Sequence, residues 1–286
     1  MRRFSFLPTS ICLFVFIFTM AFAAPSLAIE SPWSTQDDMQ IRLLGSNDAL
    51  SREAGYRAAL QIRLGSGWHT YWRSSGESGL PPRFDWSGSG NLSAAEALFP
   101  FPKRYDEMGM TTFGYEGDFM LPLLIQADDK TLPVILDLNL NAMICRDICI
   151  PVTFRSQLEI PAEPQENSMH TPLIIHAHSR APAQGNINTL KIENTTLTKD
   201  KLAIATYSQR GFNQAELIVE IDGVALASAA TIEQRGDNRN EAILSLDIPE
   251  DIRALYEDAE SPFAGADIIL SLSNGRDAIE YRINGL

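Results

Sequence analysis

Cysteine is almost missing from this chain: 286 residues hold three, and histidine is nearly as scarce at four. Basic residues are outnumbered, 23 against 36 acidic, and the net charge is −13. A basic footprint for nucleic acid is therefore lacking, and DNA or RNA is not an expected partner. No convincing Ser/His/Asp set, phosphate-binding loop or dinucleotide fingerprint occurs. Gly88-Ser89-Gly90 sits in a turn cluster without the remainder of such a fingerprint. Long helical periodicities, solenoid repeats and low-complexity tracts are also lacking. The composition, 45% hydrophobic and 21% charged, is that of an ordinary globular protein. Its length is a prior for about two domains at roughly 150 residues each.

Long apolar runs are lacking too, except at the amino terminus. Arg2 and Arg3 precede a nearly unbroken apolar stretch, residues 11–24, followed by the small-x-small pattern Ser26-Leu27-Ala28. This reads as a secretory signal peptide, residues 1–28. The run is short for a bilayer span, which needs about 20 residues, and a membrane anchor is the competing reading. The expected product is soluble and periplasmic, without stable membrane insertion, in a compartment that permits disulfides. Cys12 is lost with the signal, leaving Cys145 and Cys149.

What the sequence has in quantity is period-two alternation between turn clusters. Residues 56–64 read as a strand, with Ala58, Leu60, Ile62 and Leu64 on one face. Residues 118–126 read as another, Pro122 arguing for an edge or a bulge. In residues 134–142, Leu136, Leu138 and Leu140 oppose Asp137, Asn139 and Asn141, and residues 152–160 are the expected antiparallel partner. A proline-bounded stretch, residues 161–185, reads as a linker with one short helix near residues 172–179. Seven short strands follow within about 100 residues, which suits an immunoglobulin-like sandwich. The expected fold is all-β: a redox sandwich over residues 29–160, the linker, and a second sandwich over residues 186–286.

The cysteines stand in Cys145-Arg146-Asp147-Ile148-Cys149. Strands on both sides make residues 146–148 a three-residue hairpin loop. The cysteines then face each other across the strand ends, at a Cα separation expected within the 4.4–6.8 Å or so that a disulfide needs. Closing so small a ring stabilises by roughly 2 kcal/mol in the chain-entropy model, and less where ladder hydrogen bonds already close the hairpin. That weakens the reading as a simple staple. A short-loop disulfide at a strand end is accessible and easily reduced, which favours a redox-active pair. A metal site is the third reading. Arg146 would stabilise a neighbouring thiolate and Asp147 would oppose it.

Several segments together resemble the amino-terminal periplasmic domain of DsbD-type thiol:disulfide interchange proteins, closest to the suppressor of copper sensitivity protein B branch. They are the run Gly67-Trp68-His69-Thr70-Tyr71-Trp72-Arg73, then Gly79-Leu80-Pro81-Pro82, Phe84-Asp85-Trp86, the stretch from Pro100 to Arg104, Gly114-Tyr115-Glu116-Gly117-Asp118, and the cysteine segment through Ile150-Pro151. The resemblance covers about residues 55–160. It implies a protein-disulfide reductase component with an immunoglobulin-like fold and no organic cofactor. Cys145 and Cys149 would be the exchanging pair, with Cys149 forming the mixed disulfide. The implied partners are a membrane electron-relay protein and periplasmic thioredoxin-like oxidoreductases. A mobile cap loop is also implied, matching residues 105–113. In it Phe113 or Met108 would cover the sulfurs and Asp106 or Glu107 would move protons, with Tyr71 in support. Members of the family continue into a membrane domain and often a thioredoxin domain, so this chain reads as a free-standing or split version.

Copper is the rival chemistry. Cys145, Cys149, Met143, Met108 and Met110 are soft ligands suited to Cu(I), and His69 could add a nitrogen. The alternative for the methionines is gap-filling in cores and caps. His176 and His178, with His170 nearby, form a weaker metal patch, since positions i and i+2 of a helix do not face each other. Trp68, Tyr71, Trp72 and Trp86 read either as sandwich core or as a binding groove.

Overall fold

The computed structural model describes residues 29–46, 55–162, 169–235, 239–257 and 262–283. The expected signal peptide with Cys12, and residues 163–168 of the expected linker, lie outside them. The described chain is nearly all β, with two short helices. None of its helices is long and apolar enough to cross a membrane.

The first sandwich pairs two antiparallel sheets. One contains β1 (Ser34–Gln36), β2 (Met39–Gly45), β3 (Tyr56–Leu64), β9 (Asp118–Ala127) and β6 (Leu92–Ala97), in the order β1-β2-β3-β9-β6. The other contains β11 (Cys149–Ile160), β10 (Val134–Cys145), β4 (His69–Gly76), β8 (Met110–Glu116) and β7 (Lys103–Glu107), in the order β11-β10-β4-β8-β7, with β5 (Arg83–Asp85) also on β10. Alternation builds the core. Val134, Leu136, Leu138 and Leu140 of β10 are buried against Ala58, Leu60 and Ile62 of β3 and Leu121, Leu123 and Ile125 of β9. Trp68 and Trp86 join this core, so they serve as core rather than groove.

Pro122 does not mark an edge. Strand β9 lies between β3 and β6, with Pro122 opposite Ala59. The proline turns its backbone toward the end of β6: its carbonyl accepts the Leu98 N–H at 2.9 Å, just past Ala97. The missing donor thus falls where the ladder has already ended.

Helix α1 (Thr171–His178) carries a proline in its first turn and buries Ile174 against Leu44 and Ala59 on the outer face of the first sheet. Its His178 Nε2 lies 3.1 Å from the Ala58 carbonyl, and His170 Nε2 lies 2.8 Å from Glu30. His178 and His170 thus make separate contacts on different elements, and His176 is exposed.

The second sandwich has a sheet of β12 (Ala183–Gln184), β20 (Ala278–Ile283), β19 (Ile268–Ser273), β15 (Glu216–Ile221) and β16 (Val224–Ala225), in that order. Facing it are β13 (Leu190–Leu197), β14 (Lys201–Ser208), β18 (Glu241–Asp247) and β17 (Thr231–Gln234), with helix α2 (Glu250–Ala254) leading out of β18. A separate apolar core fills it, including Leu202, Ile204, Leu217, Val219, Leu244, Leu270 and Leu272. A third cluster joins the sandwiches: Trp72, Phe113 and Tyr115 of the first pack with Ile218 and Ala225 of the second.

Candidate redox site

Strands β10 and β11 run in register from Val134 opposite Ile160 to Cys145 opposite Cys149. Residues 146–148 form the three-residue loop, closed by the Arg146 N–H donating to the Ile148 carbonyl at 3.2 Å. The cysteines are joined in a disulfide, at a Cα separation of 4.1 Å. That is closer than expected, because the two residues are directly opposed at the end of a continuous ladder. Cys145 is 2% exposed, whereas Cys149 faces solvent beside Ile148, itself 66% exposed. Arg146 lies 3.0 Å from Asp147 and stacks over Trp68 at 5.0 Å.

Strand β4 covers the buried sulfur. His69 is paired opposite Cys145 and Thr70 opposite Ile144, and the Thr70 hydroxyl donates to the Met143 carbonyl at 2.9 Å. Two residues on from His69, on the same face of the strand, Tyr71 directs its hydroxyl to Cys145 Sγ at 2.9 Å. Cys149 Sγ is 3.7 Å from that oxygen and Glu107 Oε2 is 3.3 Å away. One hydroxyl proton therefore faces three acceptors. Burial first, and then the charge of Glu107 and its hydrogen bond, raise the Tyr71 pKa well above the usual phenol value. Tyr71 thus stays a donor throughout the neutral range.

Glu107 ends β7. Its Oε1 accepts the Thr112 hydroxyl at 2.8 Å and lies 2.6 Å from His69 Nε2. The histidine approach is close but not aligned as a hydrogen bond, and it becomes a salt bridge when the ring is protonated. Tyr105 stacks on His69 with ring centroids 5.0 Å apart. Burial, then the charges of Glu116 and Glu107, raise its pKa as well. The chemistry of this arrangement is specific. A thiolate at Cys145 would meet a committed O–H donor, while the nearby carboxylate opposes its charge.

The segment expected as a cap loop is a β-hairpin. Strands β7 and β8 pair from Lys103 opposite Gly114 to Glu107 opposite Met110. Met108 and Gly109, at φ 55° and 83°, form a two-residue turn of the primed type. The hairpin divides the expected residues. Glu107 reaches the redox cluster. Asp106 instead accepts the Gly109 N–H at 2.9 Å and caps the turn. Met108 is 94% exposed at the tip. Phe113 is fully buried against Trp72 beneath the second sandwich, so its ring is committed to that interface. Met110 is exposed beside the turn, and Met143 meets the site through its carbonyl. Among the described residues, no group of three His, Cys, Asp or Glu is placed to hold a metal ion. Tyr105 was not singled out from the sequence, and His69 was considered only as a metal ligand. The legible signal was the i, i+2 spacing of His69 and Tyr71, which sets both on one face of a strand.

Residues 42–161 match the family model described as "Thiol:disulfide interchange protein DsbD, N-terminal". The first sandwich is a DsbD-type amino-terminal domain. Its cysteine hairpin and its β7–β8 hairpin both lie within the matched residues. A solved structure, the N-terminal periplasmic domain of ScsB from Proteus mirabilis, matches at 19% identity with a TM-score of 0.65, covering 90% of this chain and 98% of that one. The shared fold therefore extends beyond the DsbD-type domain into the second sandwich. A marsupial T cell receptor chain also matches, at 11% identity, 88% and 98% coverage and a TM-score of 0.23, too low to equate the folds. No curated protein matches by sequence. The family and the disulfide together support a thiol:disulfide exchange module.

Proposed function

We propose that this chain is a periplasmic thiol:disulfide exchange module that carries electrons between a membrane reductase and thioredoxin-like periplasmic partners. The first sandwich is its redox domain and residues 161–185 the linker to the second. The observation that carries this reading is the asymmetry of the disulfide: one cysteine exposed at a hairpin tip, the other buried beneath a hydroxyl donor.

The asymmetry supports an order of events. A partner thiolate attacks Cys149 Sγ, the accessible sulfur. The Cys145–Cys149 bond breaks as the mixed disulfide forms, and Cys145 leaves as a thiolate. Tyr71 donates to that sulfur as its charge develops, and Glu107 lies close enough to take part in its protonation. The partner's second thiolate then attacks its own sulfur in the mixed disulfide and releases Cys149. Two electrons and two protons have moved to the pair, and the partner is oxidised. Electrons leave by the reverse sequence.

The test is the equilibrium of the full mature chain with glutathione buffers, its thiols trapped and counted by mass. A reduction potential between about −270 and −120 mV is expected, the span of known exchange proteins. A value below about −300 mV, the range of structural disulfides, would overturn the proposal and leave a staple. Thiols that stay reduced and resist trapping until a chelator is added would instead favour copper binding.

A further inference from the structure

The second sandwich touches the redox domain along the strands that build the site. Arg73 follows Tyr71 by two residues on β4. Its guanidinium forms a bidentate pair with Glu220 of β15, whose side chain is 3% exposed, and lies 2.5 Å from Glu280 of β20. It also stacks on Trp72 at 4.3 Å. The next residue, Ser74, accepts the buried N–H of Ala225 at 2.7 Å. Arg104 stands three residues before Glu107 on β7. It donates to Glu216 at 2.9 Å and to the Ala227 carbonyl at 2.6 Å, and lies 4.8 Å over Phe113. Trp72, Phe113 and Tyr115 fill the space between these anchors, with Ile218 and Ala225 opposite.

Within the first sandwich the β7–β8 hairpin is held on its β8 side, where β8 pairs with β4 and Thr111 exchanges hydrogen bonds with Glu77. Strand β7 is the edge of its sheet, and the β4–β8 ladder breaks between Tyr71 and Gly76. Its tip is open, with nothing within 4 Å of a side-chain atom built at Gly109. The base of β7 is therefore gripped by the second sandwich, the Met108–Gly109 turn is open, and Glu107 lies between them.

We propose that the second sandwich is a brace for the redox site, in which Arg104 and Arg73 fix the β7–β8 hairpin and β4 so that Glu107 and Tyr71 are held against the cysteine pair. A buried ion pair adds little net stability compared with apolar packing, whereas its bidentate geometry fixes orientation. These arginines are positioning residues, and the inference rests on the exchange function proposed above. The brace also accounts for a hairpin where a mobile loop was expected.

The experiment compares full mature chains carrying Arg104→Gln, Arg104→Lys or Glu216→Gln with the wild type. Arg253→Gln serves as control, since its ion pair with Asp200 lies away from the interface. The readout is the pH profile of iodoacetamide alkylation of the reduced pair, alongside the thermal transition. Loosening the hairpin withdraws the Glu107 carboxylate and uncovers Cys145. Arg104→Gln should therefore alkylate at least threefold faster at neutral pH, with its midpoint moved to lower pH. Glu216→Gln should move the same way, though it alters only the second sandwich, and Arg104→Lys should recover part of the wild-type profile. If Arg104→Gln unfolds, Glu216→Gln alone decides. Wild-type profiles in folded variants would overturn the brace. An inert wild-type pair in the glutathione equilibrium would instead overturn the exchange function, so the two failures are read separately.

Discussion

Replacing Tyr71 with phenylalanine removes one oxygen and keeps the ring that packs beneath the cysteine pair. In the oxidised protein the hydroxyl faces a weak sulfur acceptor at 2.9 Å and a carboxylate at 3.3 Å. When Cys145 leaves, the same hydroxyl faces a thiolate. A hydrogen bond to a charged group is worth about 1.5–3 kcal/mol. If the leaving sulfur carries about 0.4–0.5 of its charge at the transition state, as the attacking sulfur does in thiol exchange, about 0.6–1.5 kcal/mol of the barrier comes from Tyr71. That is about 3- to 12-fold in rate. The assay is single-turnover reduction of the oxidised pair by excess glutathione, quenched with alkylating agent and read by mass. Tyr71→Phe should slow the step by that factor. Where Cys145 is ionised, the loss falls fully on the reduced state, and the potential should move negative by about 30–65 mV. A folded Tyr71→Phe protein reduced at the wild-type rate would refute the reasoning. The departing sulfur would then not be the one beneath Tyr71.

Four further outcomes are expected. A methyl at Gly79, where φ is +82°, would stand 2.2 Å from Tyr71 Cε1 and Cζ, so Gly79→Ala should displace the ring and slow glutathione reduction at least as much as Tyr71→Phe. Cys145→Ser should accumulate a stable mixed disulfide with oxidised glutathione through Cys149. Cys149→Ser, with only the buried Cys145, should form one on the order of tenfold more slowly, since exchange depends on access. Burial lowers the His178 pKa, so the unfolded state binds protons more readily. The stability that depends on the neutral ring should be lost as pH falls below the ordinary value of 6.5, and the denaturation midpoint should drop less between pH 7 and 5 in His178→Gln.

The elements most legible in the sequence were those with one wet face. Strand β10 alternates Leu136, Leu138 and Leu140 with Asp137, Asn139 and Asn141, and it forms as that pattern requires. The cysteine hairpin followed from it, because alternating strands on either side of residues 146–148 leave only a short loop between them. Strand β4 was not legible by the same rule. Thr70, Tyr71 and Trp72 are buried in succession, since Thr70 lies among the first sandwich's core residues, Tyr71 meets the cysteine pair and Trp72 packs against the second sandwich. Doubly buried strands lose their period-two signature. The β7–β8 hairpin hid for another reason: Lys103, Arg104, Asp106 and Glu107 look like a solvated loop. Yet Arg104 and Glu107 are partly buried because each charge has a partner on a different element. A single sequence does not show pairings between distant segments, and the redox site is made largely of such pairings.

The same pairings converge on one carboxylate acceptor. Glu107 is shared among Thr112 within its own hairpin, His69 on β4 and the hydroxyl of Tyr71. Moving the hairpin outward would break the last two contacts together while leaving the first intact. Tyr71 would then have only sulfur to donate to. Displacing the hairpin would thus take away the opposing carboxylate and leave the hydroxyl to Cys145 together, and this is the change the brace prevents. With the hairpin in place the carboxylate stays beside the buried Cys145, and Cys149 remains the exposed sulfur.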